Sequence, residues 1–229
     1  FIIGLGGSGM CDGGAGALAA LGVAFYDRNG TSIPHPTGGD LQRIERLQIP
    51  SDFQHCVKGM HFTYACDVTN PYTGENGAAA VFGPQKGATP AQVQLLNNGM
   101  AHLAALLPNA VRALPGAGAA GGLCGGLYGV LGGTTQSGFD LLAALADLDS
   151  AIAGADLVIT GEGRTDRQTL MGKLPYQVAQ RSKKLGKRYE DLNLIVCHVD
   201  GGITVTAHKA GRMVDSTEGA GGDGPFTPT

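Results

Sequence analysis

The sequence predicts an α/β protein in which strands and helices alternate in layers, and three observations carry that prediction. Short apolar runs at residues 1–3, 62–68, 157–160 and 192–199 are separated by stretches whose apolar residues recur every three or four positions. The glycine-rich turn Gly4-Leu5-Gly6-Gly7-Ser8-Gly9 sits between the first such strand and a small-residue helix, the order that phosphate-binding loops take. Gly accounts for 39 of 229 residues, about one in six where about 7% is usual. Many backbone positions must therefore adopt geometries closed to other residues.

Residues 1–3 read as the end of a buried strand. A chain that opens at Phe1 in mid-strand is expected to be part of a longer protein, and no basic segment marks a signal peptide. A helix follows from about Gly14 to Leu21, where Gly22 can end it. Residues 23–26 read as a strand turned back on itself by Asp27-Arg28-Asn29-Gly30, a hairpin. The strand at 62–68 runs into the turn Asn70-Pro71-Tyr72-Thr73-Gly74. Thr89-Pro90 opens a helix, with Thr as cap and Pro in the first turn. Val93, Leu96, Met100, Leu103 and Leu107 form its core face up to Pro108. Leu141, Leu145, Leu148 and Ile152 make a second stripe before strand 157–160, which ends in Gly161-Glu162-Gly163-Arg164. Thr165 with Gln168 forms a capping box for the next helix. A last helix ends near Gly186, strand 192–199 follows, and 203–208 with 212–215 form a hairpin around Lys209-Ala210-Gly211.

Composition excludes several classes. With 16 Lys and Arg against 19 Asp and Glu, net charge −3, no basic surplus exists to neutralise a phosphate backbone, so nucleic acid is not expected as a partner. Five scattered cysteines without a C-x-x-C pair argue against a zinc ribbon and suit the reducing cytoplasm. Residues 113–139 carry no charge over 27 positions, yet ten of them are Gly and Pro115 is among them, which leaves too little apolar surface for a membrane span.

Gly4-x-Gly6-x-x-Gly9 matches the dinucleotide fingerprint, and Asp27 lies 18 residues beyond Gly9, so a dinucleotide-binding domain is one reading. Asp27 falls in a hairpin turn, however, and not at the end of a βαβ unit. The physical content of the motif is a series of exposed backbone N–H groups facing an anion. Asp12, Asp67, Glu162 and Asp166 sit among Gly, Asn and Thr at turns, where a carboxylate suits Mg²⁺ or deprotonates an alcohol. Asp12 could equally cap a helix and Asp67 stabilise a turn. Lys86 and Arg164 are candidate phosphate clamps. The six His residues show no ligand spacing.

Five segments in order resemble the glycerate kinase family. They are Gly4-Leu5-Gly6-Gly7-Ser8 with Asp12-Gly13-Gly14-Ala15-Gly16, then Ala65-Cys66-Asp67-Val68 with Asn70-Pro71, VFGPQKGA at 81–88, PGAGAAGGL at 115–123 and ITGEGRTDRQT at 159–169. Where the family usually has Ala-Thr-Asn, this chain has Gly9-Met10-Cys11. The resemblance covers 1–178 and implies a partial two-domain α/β fold around a cleft, lacking the family's N-terminal part. It also implies transfer of the γ-phosphoryl group of ATP to D-glycerate with Mg²⁺, 2-phosphoglycerate being the favoured product. The candidate catalytic residues are then Asp67, Glu162 and Asp166, with Glu162 and Asp166 also the candidate metal ligands. Gly6, Gly7, Ser8, Asp12, Gly13 and Lys86 are candidates for the nucleotide phosphates, and Asn70 and Arg164 for the substrate.

The remainder, 179–229, is similar to a different family. LGKRYEDLNLIV at 185–196, His198, Gly201-Gly202-Ile203, Ala207-His208-Lys209 and Gly224-Pro225-Phe226 resemble a strand and hairpin of butyrate kinase, of the acetokinase group. A second reading is therefore an inactive nucleotide-binding fragment or chimera. On this view strand 192–199 docks on the preceding sheet, residues beyond about 203 pack loosely, and 219–229 lie extended or disordered on the surface. The sequence assigns no oligomeric state.

Overall fold

A computed structural model describes residues 1–155, 158–161, 174–184, 194–199, 203–210 and 212–216. The chain divides into two compact units, Phe1–Gly138 and Phe139–Thr229.

The first unit runs through β1 (Ile2–Gly4), α1 (Ala15–Ala20), β2 (Ala24–Tyr26), β3 (Arg46–Gln48), α2 (Ser51–Val57), β4 (Thr63–Ala65), α3 (Ala78–Phe82), α4 (Pro90–Leu106), α5 (Leu123–Leu131) and β5 (Thr134–Gln136). Its main sheet is parallel throughout, in the order β1-β4-β5, with Ile2 beside Thr63 and Thr63 beside Thr134. Parallel neighbours need crossover connections, and the intervening helices supply them. As a result all three strands end at the same edge, at Gly4, Ala65 and Gln136. The core beneath is built on Tyr64, Tyr72, Leu18, Met100, Leu103 and Cys124, each fully buried.

Local rules explain the best-formed helix. Thr89 and Gln92 form a reciprocal capping box, the Gln92 N–H donating to Thr89 Oγ1 at 3.3 Å and the Thr89 N–H to Gln92 Oε1 at 2.8 Å. The expected stripe faces the core at Met100, Leu103 and Leu107, while Val93 and Leu96 are half-buried. The uncharged run at 113–139 contains α5, whose Gly125, Gly126 and Gly129 are buried against the Tyr72 ring, the backbone at Gly13–Gly14 and Leu107. The run is apolar because protein covers it; among the described residues no helix is long and apolar enough to cross a membrane.

Two expectations for this unit and its border change. The strand at 24–26 pairs antiparallel with β3, Phe25 opposite Leu47, and meets the far side of the Asp27–Gly30 turn only through one bridge, Tyr26 to Ser32. The turn forms as expected, since the Asp27 carboxylate accepts the N–H groups of Asn29 and Thr31 at 2.9 Å each. The chain beyond it then diverges, and 46–48 supplies the longer ladder. The stripe through Leu141, Leu145, Leu148 and Ile152 is split between α6 (Gly138–Leu145) and α7 (Leu148–Gly154). Asp147 breaks the run with φ at +49°, so Leu141 and Ile152 are buried while Leu145 stays exposed.

In the second unit α6 and α7 are followed by β6 (Val158–Gly161), α8 (Leu174–Lys184), β7 (Leu194–Val199), β8 (Ile203–Lys209) and β9 (Arg212–Ser216). One sheet joins the strands in the order β6-β7-β8-β9, with β6 parallel to β7 and the rest antiparallel. The hairpin expected at 203–215 forms. The strand β8 is paired with β7 from Val199–Ile203 to Leu194–His208, and β9 continues the sheet. Antiparallel neighbours joined by a short turn pair through local backbone geometry and need no distant partner. The capping box at Thr165 and the tail 219–229 lie outside the described residues.

A small core of Ile152, Val158 and Val178 is reinforced by Arg181 on α8. Its guanidinium donates to both oxygens of Asp149 on α7, at 2.5 and 3.1 Å, and to Asp140 on α6 at 2.8 Å. The hydrogen bond from Arg181 holds the Asp149 carboxyl below the usual carboxylate range. A carboxylate depressed in the folded state stabilises above its unfolded value, and that contribution is lost as pH falls through the folded one. Arg181→Ala is therefore expected to lower the urea midpoint at neutral pH, and its deficit against the parent should shrink below about pH 4. A deficit of equal size at acid and neutral pH would show that the guanidinium acts by packing alone.

Candidate functional site

The carboxyl edge of the parallel sheet in the first unit collects three groups. The glycine loop leaves β1, Asp67 follows β4, and Ser137 follows β5. Ligands in open α/β sheets bind at this edge, because the chain there turns away and leaves strand-end backbone and loop side chains facing outward.

The loop after β1 has two halves. Gly6, Gly7 and Gly9 are exposed, and a Cβ built on any of them meets nothing within 4 Å. Their N–H groups have no acceptor among the described residues. Gly13 and Gly14, in contrast, are buried. The Gly13 N–H donates to Gly121 O at 3.1 Å, and the Gly13 carbonyl accepts the Tyr72 hydroxyl at 2.7 Å. A side chain at Gly121 or Gly126 would collide with the backbone of Met10 and Gly13 respectively, so the end of the PGAGAAGGL segment and the start of α5 need glycine to seat this loop. Sequence reading found that segment by resemblance alone, with no physical reason attached.

Asp12 spends its carboxylate on the start of α1, accepting the Gly14 N–H at 2.9 Å and the Gly16 N–H at 3.0 Å. With those donors satisfied, and with α1 only six residues long, the helix end has little left for an anion. The part of the loop with open backbone N–H groups is Gly6 to Gly9. Lys86 reaches it from the 3₁₀ turn Pro84–Lys86, which Gly87 closes at φ +88°. Its half-buried ammonium donates to Ser8 Oγ at 3.0 Å and to Met10 O at 2.6 Å. Thus Lys86 is held against the loop at Ser8 and Met10, next to Gly6, Gly7 and Gly9 in the chain.

Asp67 is exposed and accepts the Ser137 hydroxyl at 3.0 Å. Ser137 is a residue the sequence did not single out, since a hydroxyl beside a glycine has no motif of its own. Asn70 directs its side-chain amide to Asn76 O at 2.9 Å, bracing the 70–77 turn from within. Glu162, Arg164 and Asp166 lie outside the described residues. Among the described residues no group of three or more His, Cys, Asp or Glu converges. Thiol chemistry is unfavourable here. Burial pushes the Cys11 thiol up, with Lys86 opposing, and pushes Cys124 up to about 12.

An exposed glycine loop held by a lysine, with a carboxylate one strand over, defines an α/β protein whose polar groups gather at the carboxyl edge of a parallel sheet. The chain belongs to the glycerate kinase family, whose model matches residues 1–213. It is similar to the glycerate 2-kinase of Escherichia coli (strain K12), 43% identical over 190 residues that make up 81% of this chain and 49% of that protein. It is also similar to the glycerate kinase of Haemophilus influenzae, 36% identical over 227 residues, 94% of this chain and 60% of that one. A crystal structure from Salmonella typhimurium LT2 assigned as glycerate kinase 2 superposes with a TM-score of 0.71 at 38% identity, covering 87% of this chain and 57% of that chain. The chain spans about half the length of the curated relatives it matches. The match to 213 runs across the border drawn at 178 from the sequence and includes β6, β7 and β8.

The exposed half of the loop can be tested without disturbing its seat. Gly6 has open space around it and no left-handed φ, whereas Gly7 sits at φ +62°, where any side chain is strained. Gly6→Val is expected to leave the unfolding midpoint of the chain in place while weakening nucleotide affinity by about 10-fold or more, through lost backbone N–H contacts to charged oxygens. Unchanged affinity in the folded variant would remove the loop from the site.

Proposed function

We propose that the chain acts in ATP-dependent phosphorylation of D-glycerate, with 2-phosphoglycerate as the favoured product. The observation that carries the reading is the convergence of the glycine loop, Lys86 and Asp67 at one sheet edge, taken with membership of the glycerate kinase family. In this reading Gly6, Gly7, Ser8 and Lys86 hold the nucleotide phosphates. Asp67, oriented by Ser137, accepts the proton of the glycerate hydroxyl as its oxygen forms a bond to the γ-phosphorus and the bond to the bridging oxygen of ADP breaks. Mg²⁺ supplies charge neutralisation of the phosphates, with Glu162 and Asp166 as its ligands or as the alternative base. Arg164 and Asn70 orient the substrate, and Asp12 and Gly13 contribute by fixing the loop. The cytoplasm is the compartment this reading assigns, and nucleic acid has no part in it.

The butyrate kinase-like sequence of 179–229 favours a second reading as a nucleotide-binding portion without turnover of its own. Segment 179–229, with its butyrate kinase-like sequence, then extends the sheet and holds no phosphate. The negative charge of Asp200 suits that role.

Coupled ADP release with Mg-ATP and D-glycerate separates the two readings. Release above a control without glycerate supports the kinase, and release equal to that control leaves only nucleotide binding. In an active chain, Asp67→Asn is expected to lower turnover by about 100-fold or more with Mg²⁺ dependence kept, as for loss of a base. Glu162→Gln is expected to raise the Mg²⁺ concentration needed for half-maximal rate. If neither substitution alters turnover or metal dependence, both acids are structural.

A further inference from the structure

Gly138 follows Ser137 just past the end of β5 and is the first residue of α6. Its φ is not left-handed, so the backbone there does not require glycine. The three atoms nearest to a Cβ built on it all belong to Asp67, Oδ2 at 3.1 Å and Cγ and Oδ1 at 3.8 Å each. The glycines that seat the loop differ, since main chain hems in Gly121 and Gly126. The start of a helix accepts most residues, and alanine loses less backbone freedom on folding than glycine does. What a side chain at 138 meets first is therefore a carboxylate at the carboxyl edge of the parallel sheet, exposed where a ligand can reach it. At 3.1 Å a methyl group is closer than an ordinary contact, and the carboxylate would have to give way by a few tenths of an ångström. From the preceding position the Ser137 hydroxyl donates to Oδ1 at 3.0 Å. Two consecutive residues thus set the carboxylate, Ser137 by a hydrogen bond to one oxygen and Gly138 by leaving room for the other.

We infer that Gly138 is a positioning residue, its missing side chain keeping the Asp67 carboxylate where the Ser137 hydroxyl holds it. The inference rests on the kinase reading for the reaction in which Asp67 takes part, as acceptor of an alcohol proton. Proton transfer needs hydrogen-bond distance between base and hydroxyl, so a small displacement of the carboxylate lowers the rate steeply. The coupling between position 138 and Asp67 belongs to the contact itself and is measurable without turnover.

The test is a double-mutant cycle in the full chain. Parent, Gly138→Ala, Asp67→Ala and the double variant are compared by urea unfolding without ligand and by ADP release with Mg-ATP and D-glycerate. Gly138→Ala is expected to raise the unfolding midpoint in the Asp67→Ala background, where the helix start gains and nothing is crowded, and to raise it less, or lower it, in the parent. In the parent background it is expected to lower turnover by about 10-fold or more while KM for each substrate stays within about two-fold, and in the Asp67→Ala background to leave the residual rate unchanged. Equal midpoint shifts in the two backgrounds would overturn the inference, and so would parental turnover in Gly138→Ala. Parental turnover in Asp67→Ala would remove the base and the inference with it. A parent that releases no ADP above the control without glycerate would refute the kinase reading alone. The midpoints then decide, unequal shifts sustaining the positioning contact and equal shifts overturning it.

Discussion

The first unit depends on one backbone-to-backbone contact, the seating of residues 10–14 on the chain that leads into α5. Gly121 and Gly126 carry no Cβ, and each would place one against the main chain of Met10 or Gly13. Close packing of two main chains creates a demand for hydrogen bonds, since neither can reach water. The Gly13 N–H to Gly121 O bond and the Tyr72 hydroxyl to Gly13 O bond meet that demand. Glycine is unfavourable in a helix because it frees the unfolded backbone, at about 1 kcal/mol relative to alanine, yet α5 carries three buried ones. That loss is offset by the approach it permits, and the tightness of the approach holds the loop in place before any ligand arrives.

The rest of the candidate site follows from this anchor. With Gly13 and Gly14 fixed and Asp12 closing the first turn of α1, the loop must bulge outward at Gly6–Gly9, where backbone donors face open space. Lys86 braces the bulge through Ser8 and Met10, so one cation both shapes the loop and makes its surroundings positive. The parallel register of β1, β4 and β5 then brings Asp67 and Ser137 to the same edge. A buried glycine cluster thus sets the geometry, and a few polar groups at its rim carry the chemistry.

Much of this was legible in the sequence where the signal was local. The Thr89-Pro90 start, the stripe ending in Met100, Leu103 and Leu107, and the strand–glycine turn–helix order at the N-terminus all depend on neighbours within a few residues. What stayed hidden depends on contacts distant in sequence. The partner of 24–26 lies at 46–48, across a connection that no propensity rule spans. Asp12 is both a motif residue and a cap, and only its reach to the N–H groups of Gly14 and Gly16 distinguishes the two roles. Ser137 has no motif and is defined by the carboxylate it meets across the sheet. The stripe at 141–152 shows the opposite error, because periodicity continued through Asp147 where the backbone did not.

The central claim is that the loop is preformed by its seat on α5 and not by its ligand. Amide hydrogen exchange of the ligand-free chain tests it directly. The account predicts that the Gly13, Gly14 and Gly16 amides exchange as slowly as those within α5, while Gly6, Gly7 and Gly9 exchange at the rate of open loops. Fast exchange at Gly13, slowed only by adding nucleotide, would contradict it and make the ligand, not the glycine seat, the element that orders the site.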